Sequence, residues 1–384
     1  MNILFITPLY LFPPYWGGGR RTYNLIKYLA KKHKIYLVSP FYPQFENAKI
    51  NHHKEILKKM GVEILAPKPL IKVEHPFTKH INPEVILKCI EILLFKKIDV
   101  IICDYPWSGI NLLIANFFFN KPFIFHEHNI EFKIKDEIRA KYGNLMRILE
   151  LILCKKARKI VTVCKKDKEI LIKEFGINPK KIEIVENGFE DETFFPNEKK
   201  GKLIRKKLGL ENNPIVLFFG KLDYPPNKEA VYKIRWEILP RVISEIPNVK
   251  FLIVGKKYKF EFQHEAIIFT GLVDNVEDYI NAADVVIVPL LAGGGTRIKI
   301  LEAIACGKIV ISTRKGAEGL INKLTKPFLR IADDWNLFSE YIVQELRNRE
   351  KKTLKVPEEF IKKYSWRKAG ETLEKILRKI SKQS

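Results

Sequence analysis

The chain has 384 residues, of which 46% are hydrophobic and 29% are charged, a balance that excludes a disordered or fibrous protein. Its length suits two domains that each bury a core of their own. The formal net charge of +24 is spread over both halves, with +13 on residues 1–190 and +11 on the remainder, which excludes a single basic tail.

Targeting signals and cysteines indicate the compartment. The amino end, MNILFITPLY, begins as a core strand without a basic leader, so we expect no signal peptide. The apolar stretch 110–125 is interrupted by asparagines and a lysine, so we expect no membrane span. Five cysteines lie far apart in apolar surroundings: Cys89, Cys103, Cys154, Cys164 and Cys306. This spacing is typical of reduced thiols in a cytoplasmic protein and not of a disulfide framework or a zinc site.

Apolar strands alternate with amphipathic helices along the chain. In the first half, strands are predicted near residues 3–7, 35–39, 62–65, 99–103, 122–126, 159–163 and 182–185. In the second half, they are predicted near residues 215–219, 250–254, 266–269, 285–288, 309–312 and 328–331. The strongest helical pattern of the first half runs from about residue 132 to 156. Such alternation predicts mostly parallel sheets with helices on both faces.

A glycine-rich segment, WGGGRR at residues 16–21, follows the first strand. We predict a loop here and a helix from about Thr22 to Lys32. Gly17, Gly18 and Gly19 then lie at the carboxyl end of a strand, where open α/β sheets bind ligands. An ordinary tight turn would have the same composition.

A polar cluster, HEHNIE at residues 126–131, directly follows another apolar strand. It could be a metal pair, a group that contacts substrate, or a structural turn. A metal is the least favoured, because no third histidine, cysteine or paired carboxylate lies nearby in the sequence. We favour a catalytic or acceptor-contacting role, with His126 and His128 as the candidates and Glu131 beside them.

The most informative stretch is residues 284–313, where GGGTR separates an apolar strand from a helix. Backbone N–H groups near Gly294, Gly295 and Thr296, together with a helix N-terminus and Arg297, can hold a diphosphate. A carboxylate further along the helix, Glu302, can accept hydrogen bonds from ribose hydroxyls. The segment therefore predicts a nucleotide-diphosphate site, although an ordinary strand-loop-helix remains an alternative. No Gly-Lys-Ser/Thr follows the glycines, so it is not a Walker loop.

Several motifs in order resemble glycosyltransferase family 4. EAIACG at residues 302–307 is similar to the EAMACG helix of that family, and the glycines at 17–19 occupy the place of its GG loop. NGFEDETFFP at residues 187–196 resembles the signature between its two domains, and YSW at 364–366 precedes a helix that resembles its terminal helix. Where many members carry a first glutamate, this chain has Gly294, in a GGGTR form similar to one branch of the family.

The resemblance implies an α/β fold of the GT-B type, with two Rossmann-like doubly wound domains facing across a cleft. The first would span residues 1–190 and receive the C-terminal helix 365–384, and the second, residues 191–364, would bind the nucleotide sugar. Relatives place one cation directly after the glycine that follows the first strand of the second domain, and a second six residues further on. Lys221 matches the first, whereas the second position is Asn227, and Lys228 stands one place later.

The implied reaction moves a sugar from a nucleotide diphosphate to a hydroxyl with retention at the anomeric carbon. The donor would be UDP- or GDP-linked, and the acceptor a lipid-linked glycan or a polysaccharide. Lys221, Lys228 and Arg297 would balance the departing diphosphate, and the base would contact backbone near Gly271 and Val273. No Asp-x-Asp occurs, so neither a metal nor another cofactor is expected.

The positive charge suggests further alternatives. An anionic membrane surface is favoured over nucleic acid, because no nucleic-acid-binding module is recognisable. The basic, apolar helix predicted at residues 145–159 could lie on such a surface, or simply pack on the sheet. We therefore expect a cytoplasmic enzyme, peripheral at the inner face of the membrane. A nucleotide-sugar epimerase or phosphorylase of the same fold is the second candidate, and a non-enzymatic nucleic-acid-binding or membrane-binding protein the third.

Overall fold

The computed structural model of the protein describes residues 1–8, 11–12, 14, 16–40, 48–67, 81–133, 143–256, 258–348 and 354–381. The chain divides into two compact units. The first comprises Met1–Asn187 and Trp366–Ser384, and the second comprises Gly188–Ser365. The sequence placed these two boundaries after residues 190 and 364.

Within the described residues, the first unit is built on seven parallel strands. They are β1 (Asn2–Ile6), β2 (Lys34–Val38), β3 (Glu63–Leu65), β4 (Val100–Asp104), β5 (Phe123–His126), β6 (Lys159–Thr162) and β7 (Ile182–Ile184). Their order in the sheet is β3-β2-β1-β4-β5-β6-β7, so the direction of winding reverses between the neighbours β1 and β4. The residues of β4 and β5 are completely or almost completely buried, as expected for strands that are covered on both faces.

Helices connect these strands. They are α1 (Gly17–Leu29), α2 (Ala48–Lys59), α3 (Pro83–Phe95), α4 (Tyr105–Ala115), α5 (Gly143–Lys156) and α6 (Lys165–Phe175). Local sequence sets their ends: Asn82 caps α3 by accepting from the N–H of Val85, and Gly176 ends α6 with a left-handed φ of 63°. Helix α3 packs on α4, and α4 packs on α5, over one apolar core shared with the strands.

The second unit repeats the plan with six parallel strands. They are β8 (Ile215–Phe219), β9 (Lys250–Val254), β10 (Ile267–Gly271), β11 (Val285–Val288), β12 (Ile309–Ser312) and β13 (Leu329–Ile331). Their order is β10-β9-β8-β11-β12-β13, and the winding reverses between β8 and β11. The helices are α7 (Glu198–Leu208), α8 (Pro225–Lys233), α9 (Leu239–Glu245), α10 (Val276–Ala282), α11 (Ile298–Ala305), α12 (Trp335–Arg347) and α13 (Glu358–Tyr364).

The last helix, α14 (Trp366–Ser381), belongs to the first unit and packs along α1. Its buried stripe includes Leu373, Leu377 and Ile380. Gly370 permits the close approach, because a Cβ at that position would lie 2.2 Å from Cγ of Tyr28. The C-terminal helix therefore returns to the first domain, as predicted.

The predicted strands agree with the structure. Each of the thirteen lies within two residues of a strand in the described part of the chain. The start of α1 was wrong: the helix begins at Gly17 and not near Thr22, so the three glycines form its first turn rather than a loop. The helix predicted at 132–156 is observed as α5 from Gly143, and residues 134–142 lie outside the described residues. None of the described helices is both long and apolar enough to span a membrane.

Candidate functional site

The switch point of the second sheet gathers most of the predicted donor residues. Because β8 and β11 are neighbours whose following connections run to opposite sides, the loops after them diverge at the carboxyl edge of the sheet. The loop after β8 carries Gly220 and Lys221, and the loop after β11 carries residues 289–297. Ligands of open α/β sheets bind at this kind of position.

The loop after β11 has a fixed shape. Gly293 and Gly295 have φ values of 104° and 66°, in the left-handed region that favours glycine. Strand β12 anchors the start of the loop, where Ser312 Oγ donates to the carbonyl of Val288 over 3.1 Å and Thr313 Oγ1 donates to that of Leu290. The predicted diphosphate-binding backbone is therefore anchored at its start and turned by two left-handed glycines, with Gly294 partly exposed and Thr296 buried.

Arg297 braces this loop. Its guanidinium donates to the carbonyls of Ala292 over 3.3 Å and Gly295 over 3.1 Å, and also to that of Gly294. Helix α11 begins one residue later, and Arg297 provides no side-chain cap at its N-terminus. Glu302, on the second turn of α11, is buried. Arg297 therefore has a structural task in this loop, and the predicted roles of Arg297 and Glu302 toward a nucleotide stay predictions.

The two predicted lysines occupy different surroundings. The side chain of Lys221 is exposed, with its Nζ 3.8 Å from Oδ1 of Asp223. Nζ of Lys228 lies 4.9 Å from the ring centre of Tyr258, and an interaction with the Tyr258 hydroxyl raises the pKa of Lys228. Their proposed contacts with a diphosphate stay predictions.

A third lysine, which the sequence analysis missed, lies beside Gly220. Lys299 Nζ donates to Oδ1 of Asn227 over 3.1 Å, and Asn227 Nδ2 donates to the carbonyl of Lys221 over 2.9 Å. A Cβ at Gly220 would lie 3.0 Å from this ammonium, so the two groups are close neighbours, and the φ of 153° at this position favours a glycine. Burial lowers the pKa of Lys299 to about 7, with a smaller contribution from Arg297.

The residues predicted to meet the base lie at the end of β10. Gly271 ends that strand with a φ of 76°, and its carbonyl accepts from the N–H of Gly255 over 3.1 Å. Val273 is partly buried against the core, whereas Leu272 between them is exposed. Gly271 and Val273 therefore sit at the carboxyl edge of the same sheet, and their role stays a prediction.

In the first unit, the switch point lies between β1 and β4, where α1 begins. The first hydrogen bond of α1 runs from the N–H of Arg20 to the carbonyl of Trp16, and no side chain caps the helix at Trp16. The N–H groups of Gly17, Gly18 and Gly19 thus precede the hydrogen-bonded ladder of the helix. A Cβ at Gly18 would lie 1.8 Å from the Tyr105 hydroxyl, so this glycine also serves packing.

His126 is fixed by two partners. Nε of Arg21 donates to its Nε2 over 2.9 Å, so the proton of a neutral ring lies on Nδ1, which is 2.5 Å from Oδ1 of Asp104. Burial and then the charge of Arg21 lower the pKa of His126 to about 3, so the ring is neutral at physiological pH. Both ring nitrogens contact protein atoms, and the ring is fully buried. This geometry fits a positioning role and leaves neither nitrogen for a substrate.

Arg21 is the centre of this network. Beyond His126, it donates to the carbonyl of Val185 over 2.7 Å and to Oδ1 of Asn187 over 2.9 Å. Burial lowers the pKa of Arg21 to about 10, so it remains a cation at neutral pH. Although burial works to raise it, the pKa of Asp104 is held well below its usual range by His128 and His126. A buried cation and a buried anion thus flank His126.

His128 is the more available histidine. Its Nε2 lies 3.1 Å from Oδ1 of Asp104, and its ring stacks on Tyr105 with centroids 4.1 Å apart. Nδ1 of His128 has no hydrogen-bond partner among the described residues. Tyr105 holds a φ of 59°, an unusual conformation for a bulky residue and one often found at functional sites.

Asp104, His126 and His128 together offer three potential metal-ligand atoms within 4.8 Å of one another. Two features disfavour a metal there. Arg21 already occupies Nε2 of His126, and the Nδ1 proton of the same ring faces Asp104. The cationic guanidinium would also repel a metal ion. The arrangement fits a hydrogen-bonded cluster better than a metal centre.

Comparisons with known proteins give the family. The family model of Glycosyltransferase Family 4 matches residues 16–193, and that of glycosyl transferases group 1 matches residues 213–348. The chain belongs to glycosyltransferase family 4. It is a glycosyltransferase of the GT-B fold, and its family uses nucleotide-sugar donors.

Individual relatives agree with this assignment. The chain is 28% identical over 269 residues, 66% of its length, to an Escherichia coli UDP-Gal:α-D-GlcNAc-diphosphoundecaprenol α-1,3-galactosyltransferase, of which it covers 68%. It is 25% identical to an uncharacterised glycosyltransferase of Methanocaldococcus jannaschii, over 83% of this chain and 82% of that one. Among solved structures, Anabaena HepE in complex with UDP and glucose has a TM-score of 0.75 at 17% identity, with 98% of this chain and 99% of that chain covered.

This family 4 enzyme also contains a buried carboxyl pair that the sequence did not reveal. Burial raises the pKa of Glu127 well above its usual value, and neighbouring Glu150 adds to the effect. Burial likewise raises the pKa of Glu150 to about 8, although its oxygens accept from the N–H groups of Glu131 over 2.7 Å and Phe132 over 2.9 Å. We therefore expect Glu127 to be protonated at neutral pH.

Glu127→Gln tests this pair. Both carboxyls bind protons more tightly in the folded than in the unfolded state, so the free energy of unfolding should fall as pH rises from about 5 to about 8, by about 1.4 kcal/mol per unit of pKa difference. A glutamine keeps a donor toward Glu150 without titrating, so the variant should lose less stability over this range. Urea denaturation at pH 5.5 and 8 measures the difference.

Glu198→Gln is the matched control. Glu198 is exposed, and its hydrogen bond with Lys202 lowers its pKa, so it titrates below this pH range. This variant should follow the wild-type pH dependence. If the free energy of unfolding of Glu127→Gln fell with pH as much as that of the wild type, Glu127 would not be protonated as expected.

Proposed function

We propose that this glycosyltransferase transfers a sugar with retention from a UDP- or GDP-linked donor to a hydroxyl of a lipid-linked glycan. One observation carries the donor half of the proposal. The loops at the β8/β11 switch point bring together an exposed lysine, a glycine loop of fixed shape, an uncapped helix N-terminus and a buried carboxylate on that helix. Each is a group that binds one part of a nucleoside diphosphate.

The chemistry of these groups fits a departing diphosphate. When the bond between the anomeric carbon and the phosphate oxygen breaks, negative charge develops on the diphosphate. Lys221, Arg297 and the N–H groups near Gly294 and Gly295 are the groups that we propose stabilise it. The acceptor oxygen forms the new bond on the same face of the sugar, and its proton passes to the departing phosphate oxygen. This scheme requires no nucleophile from the protein.

The acceptor class rests on two supports. The Escherichia coli relative is named for a diphosphoundecaprenol-linked sugar as acceptor. The first unit also has an uncapped helix N-terminus at Gly17 near the buried His128, a position suited to a phosphate or a sugar hydroxyl. We therefore propose a polyprenyl-diphosphate-linked sugar as the acceptor class, and His128 as a residue that contacts the acceptor.

Transfer is tested directly by incubating the protein with UDP- and GDP-sugars and a polyprenyl-diphosphate-linked N-acetylglucosamine. Release of the nucleoside diphosphate should depend on the acceptor, because closed family sites exclude water from the donor. NMR coupling constants of the first product formed should show the anomeric configuration of the donor. Inversion would contradict the retaining scheme.

The same assay separates the alternatives. An epimerase would convert the sugar of the donor without an acceptor and with no net release of nucleoside diphosphate. A phosphorylase would require inorganic phosphate and would form a sugar phosphate in place of the glycan product. A nucleic-acid-binding protein would show no turnover. Nuclease treatment and high salt remove nucleic acid and should leave transfer to a soluble acceptor analogue unchanged.

Glu302 is proposed to bind the ribose hydroxyls. Hydrogen bonds to a carboxylate are worth about 1.5–3 kcal/mol, so the wild type should bind the ribonucleoside diphosphate about tenfold to a hundredfold more tightly than the 2′,3′-dideoxy analogue. Glu302→Ala should lose this preference. Titration calorimetry with both ligands on both proteins gives the four affinities. A preference that survives in Glu302→Ala would exclude the ribose contact.

A surface of the first unit supports a membrane-bound acceptor. We call it the α3–α5 surface, and it consists of exposed apolar side chains on three helices that pack in sequence and on the turn that follows α4: Leu87, Leu94, Phe95, Ile114, Phe117, Phe118, Leu145, Ile148 and Ile152. Phe117 and Phe118 are 76% and 87% exposed, which is unusual for adjacent aromatic residues. Exposed apolar surface of this extent commonly marks an interaction site.

The charges beside this surface favour anionic lipid as the partner. Exposed lysines stand at the C-termini of α3 and α5: Lys96, Lys97, Lys155 and Lys156. Lysines near an anionic membrane contribute about 1 kcal/mol each, and apolar side chains between them can enter the interface. We therefore propose that the α3–α5 surface docks on an anionic membrane. This would deliver the enzyme to a lipid-linked acceptor.

Vesicle sedimentation tests the docking. The protein should bind vesicles that contain anionic phospholipid, bind neutral vesicles less, and dissociate as salt increases. The double variant Phe117→Ser, Phe118→Ser should bind anionic vesicles at least about tenfold less tightly, because two largely exposed rings can no longer be buried.

Trp236→Ser is the matched control, since Trp236 is a 57% exposed aromatic residue in the second unit. It should bind vesicles like the wild type. Size-exclusion chromatography distinguishes self-association: if the double variant changed the oligomeric state and not vesicle binding, the α3–α5 surface would be a contact between copies and the membrane proposal would be wrong.

A further inference from the structure

Lys299 is a cation in an unusual environment. Its ammonium lies 4.5 Å from the ring centre of Phe218 and 5.8 Å from that of Phe219, the last two residues of β8. Within the described part of the chain, Lys299 forms no ion pair, and its hydrogen bond goes to the neutral amide of Asn227. Such a cation, partly withdrawn from water, is unfavourable unless a negative group approaches it.

The position of Lys299 is that of a ligand-binding group. The ammonium lies beside Gly220, at the carboxyl end of β8 and next to the switch point with β11. The amide of Asn227 fixes it from one side while holding the carbonyl of Lys221 from the other. The bond to Asn227 therefore directs a lysine of α11 to the start of the loop after β8.

We propose that Lys299, rather than Lys228, supplies the second cation that receives the donor diphosphate. This inference rests on the proposed function of the same switch point. Lys228 follows Asn227 in sequence, but its ammonium contacts the rings of Tyr232 and Tyr258. Asn227 stands at the place expected for a second cation, and it holds the ammonium of Lys299 there through its side chain.

The charged neighbours of Lys299 decide how it titrates. Burial lowers its pKa to about 7, Arg297 lowers it further, and Glu302 opposes them. The adjoining strands contribute no titratable side chain, since β8 reads IVLFF and β12 reads IVIS. On α8, the facing residue is the neutral Asn227, while Lys233 pairs with Glu237 at 3.7 Å. We therefore expect Lys299 to be partly neutral in the free enzyme near pH 7.

A bound diphosphate would favour the charged form of Lys299. At pH 8 the free enzyme holds this amine mostly neutral, so binding of a nucleoside diphosphate should be accompanied by uptake of a proton from solution. The β-phosphate of the ligand is itself almost fully ionised at this pH. Proton uptake is thus a signature of Lys299 that a purely structural lysine would lack.

Titration calorimetry at pH 8 in two buffers with different ionisation enthalpies measures the uptake, with UDP and GDP as the probes. The wild type should take up most of one proton on binding. Lys299→Arg, which is always charged, should bind within about tenfold of the wild type and take up none. Lys299→Met should bind about tenfold to a hundredfold more weakly, because a charge-assisted contact is lost.

Two further variants decide between the lysines. Lys228→Met should keep the proton uptake and most of the affinity for the nucleoside diphosphate. The proposal would be overturned if Lys228→Met lost this affinity while Lys299→Met kept that of the wild type. Lys233→Met is the matched control, since Lys233 is a lysine of α8 outside the site. This variant should show the affinity and the proton uptake of the wild type. If neither UDP nor GDP binds the wild type, the proposed function fails and this inference fails with it. If they bind Lys299→Met as well as the wild type, this inference alone fails.

A measurement without ligand controls for folding. The unfolded chain binds a proton at a lysine up to about pH 10.4, whereas folded Lys299 releases it near pH 7. The wild type should therefore gain stability between pH 7 and 9 relative to Lys299→Met, as measured by urea denaturation. Equal pH dependence in the two proteins would show that Lys299 is not held as described and would overturn the proposal.

Discussion

Parallel pairing of every strand is the constraint on which the site depends. When all strands of a sheet run in one direction, all the connections that leave their carboxyl ends meet at one edge. In both units, reversal of the winding between two neighbouring strands separates the loops that follow them, at β1/β4 and at β8/β11. The glycine segments, Lys221 and Arg297 lie on these loops or on the helices they begin. His128 lies on the loop after β5, the strand next to β4.

The two switch points surround their charged groups in opposite ways. In the first unit, Arg21 and Asp104 are both fully buried, and His126 connects them through hydrogen bonds at both ring nitrogens. Such a network is satisfied internally and fixes the geometry around it. In the second unit, Lys299 has only a neutral amide as its hydrogen-bond partner among the described residues. The first arrangement is suited to holding a shape, and the second to accepting a charged ligand.

Sequence periodicity was sufficient for the sheets, because strands buried on both faces are continuous apolar runs such as IVLFF and VVIV. Sequence periodicity failed at the start of α1, because three glycines beside an aromatic residue suggest a loop. In the structure these glycines form a helical turn, in which Gly18 packs against Tyr105 and Gly19 packs against Trp16. The residue pattern of the GGGTR segment pointed to Arg297 and Glu302, and the resemblance to the family pointed to Lys221; the roles of all three stay predictions.

The two cations that sequence reasoning missed share one property, which is that their partners are remote in sequence. Arg21 contacts His126 and Asn187, which lie 105 and 166 residues away, and Lys299 contacts Asn227, which lies 72 residues away. A lysine or arginine in a chain of net charge +24 has no local feature that distinguishes a buried role from a solvated one. Only Asn227 gave an indication in the sequence, because it stands at a position where a cation was expected. The sequence suggested the adjacent Lys228 in its place, whereas the residue that contacts Asn227 in the structure is Lys299.

The path of the chain through its two units has an evolutionary implication. The second unit is an insertion into the first, and its two ends are adjacent, since the N–H of Phe189 donates to the carbonyl of Tyr364 over 2.9 Å and Phe189 bridges to Ser365. An inserted cassette with neighbouring ends can be exchanged without disturbing the host fold around it. Recombination at residues 188 and 365 could therefore combine one scaffold with a different second unit, and helix α14 would have to stay with the scaffold for α1 to remain covered.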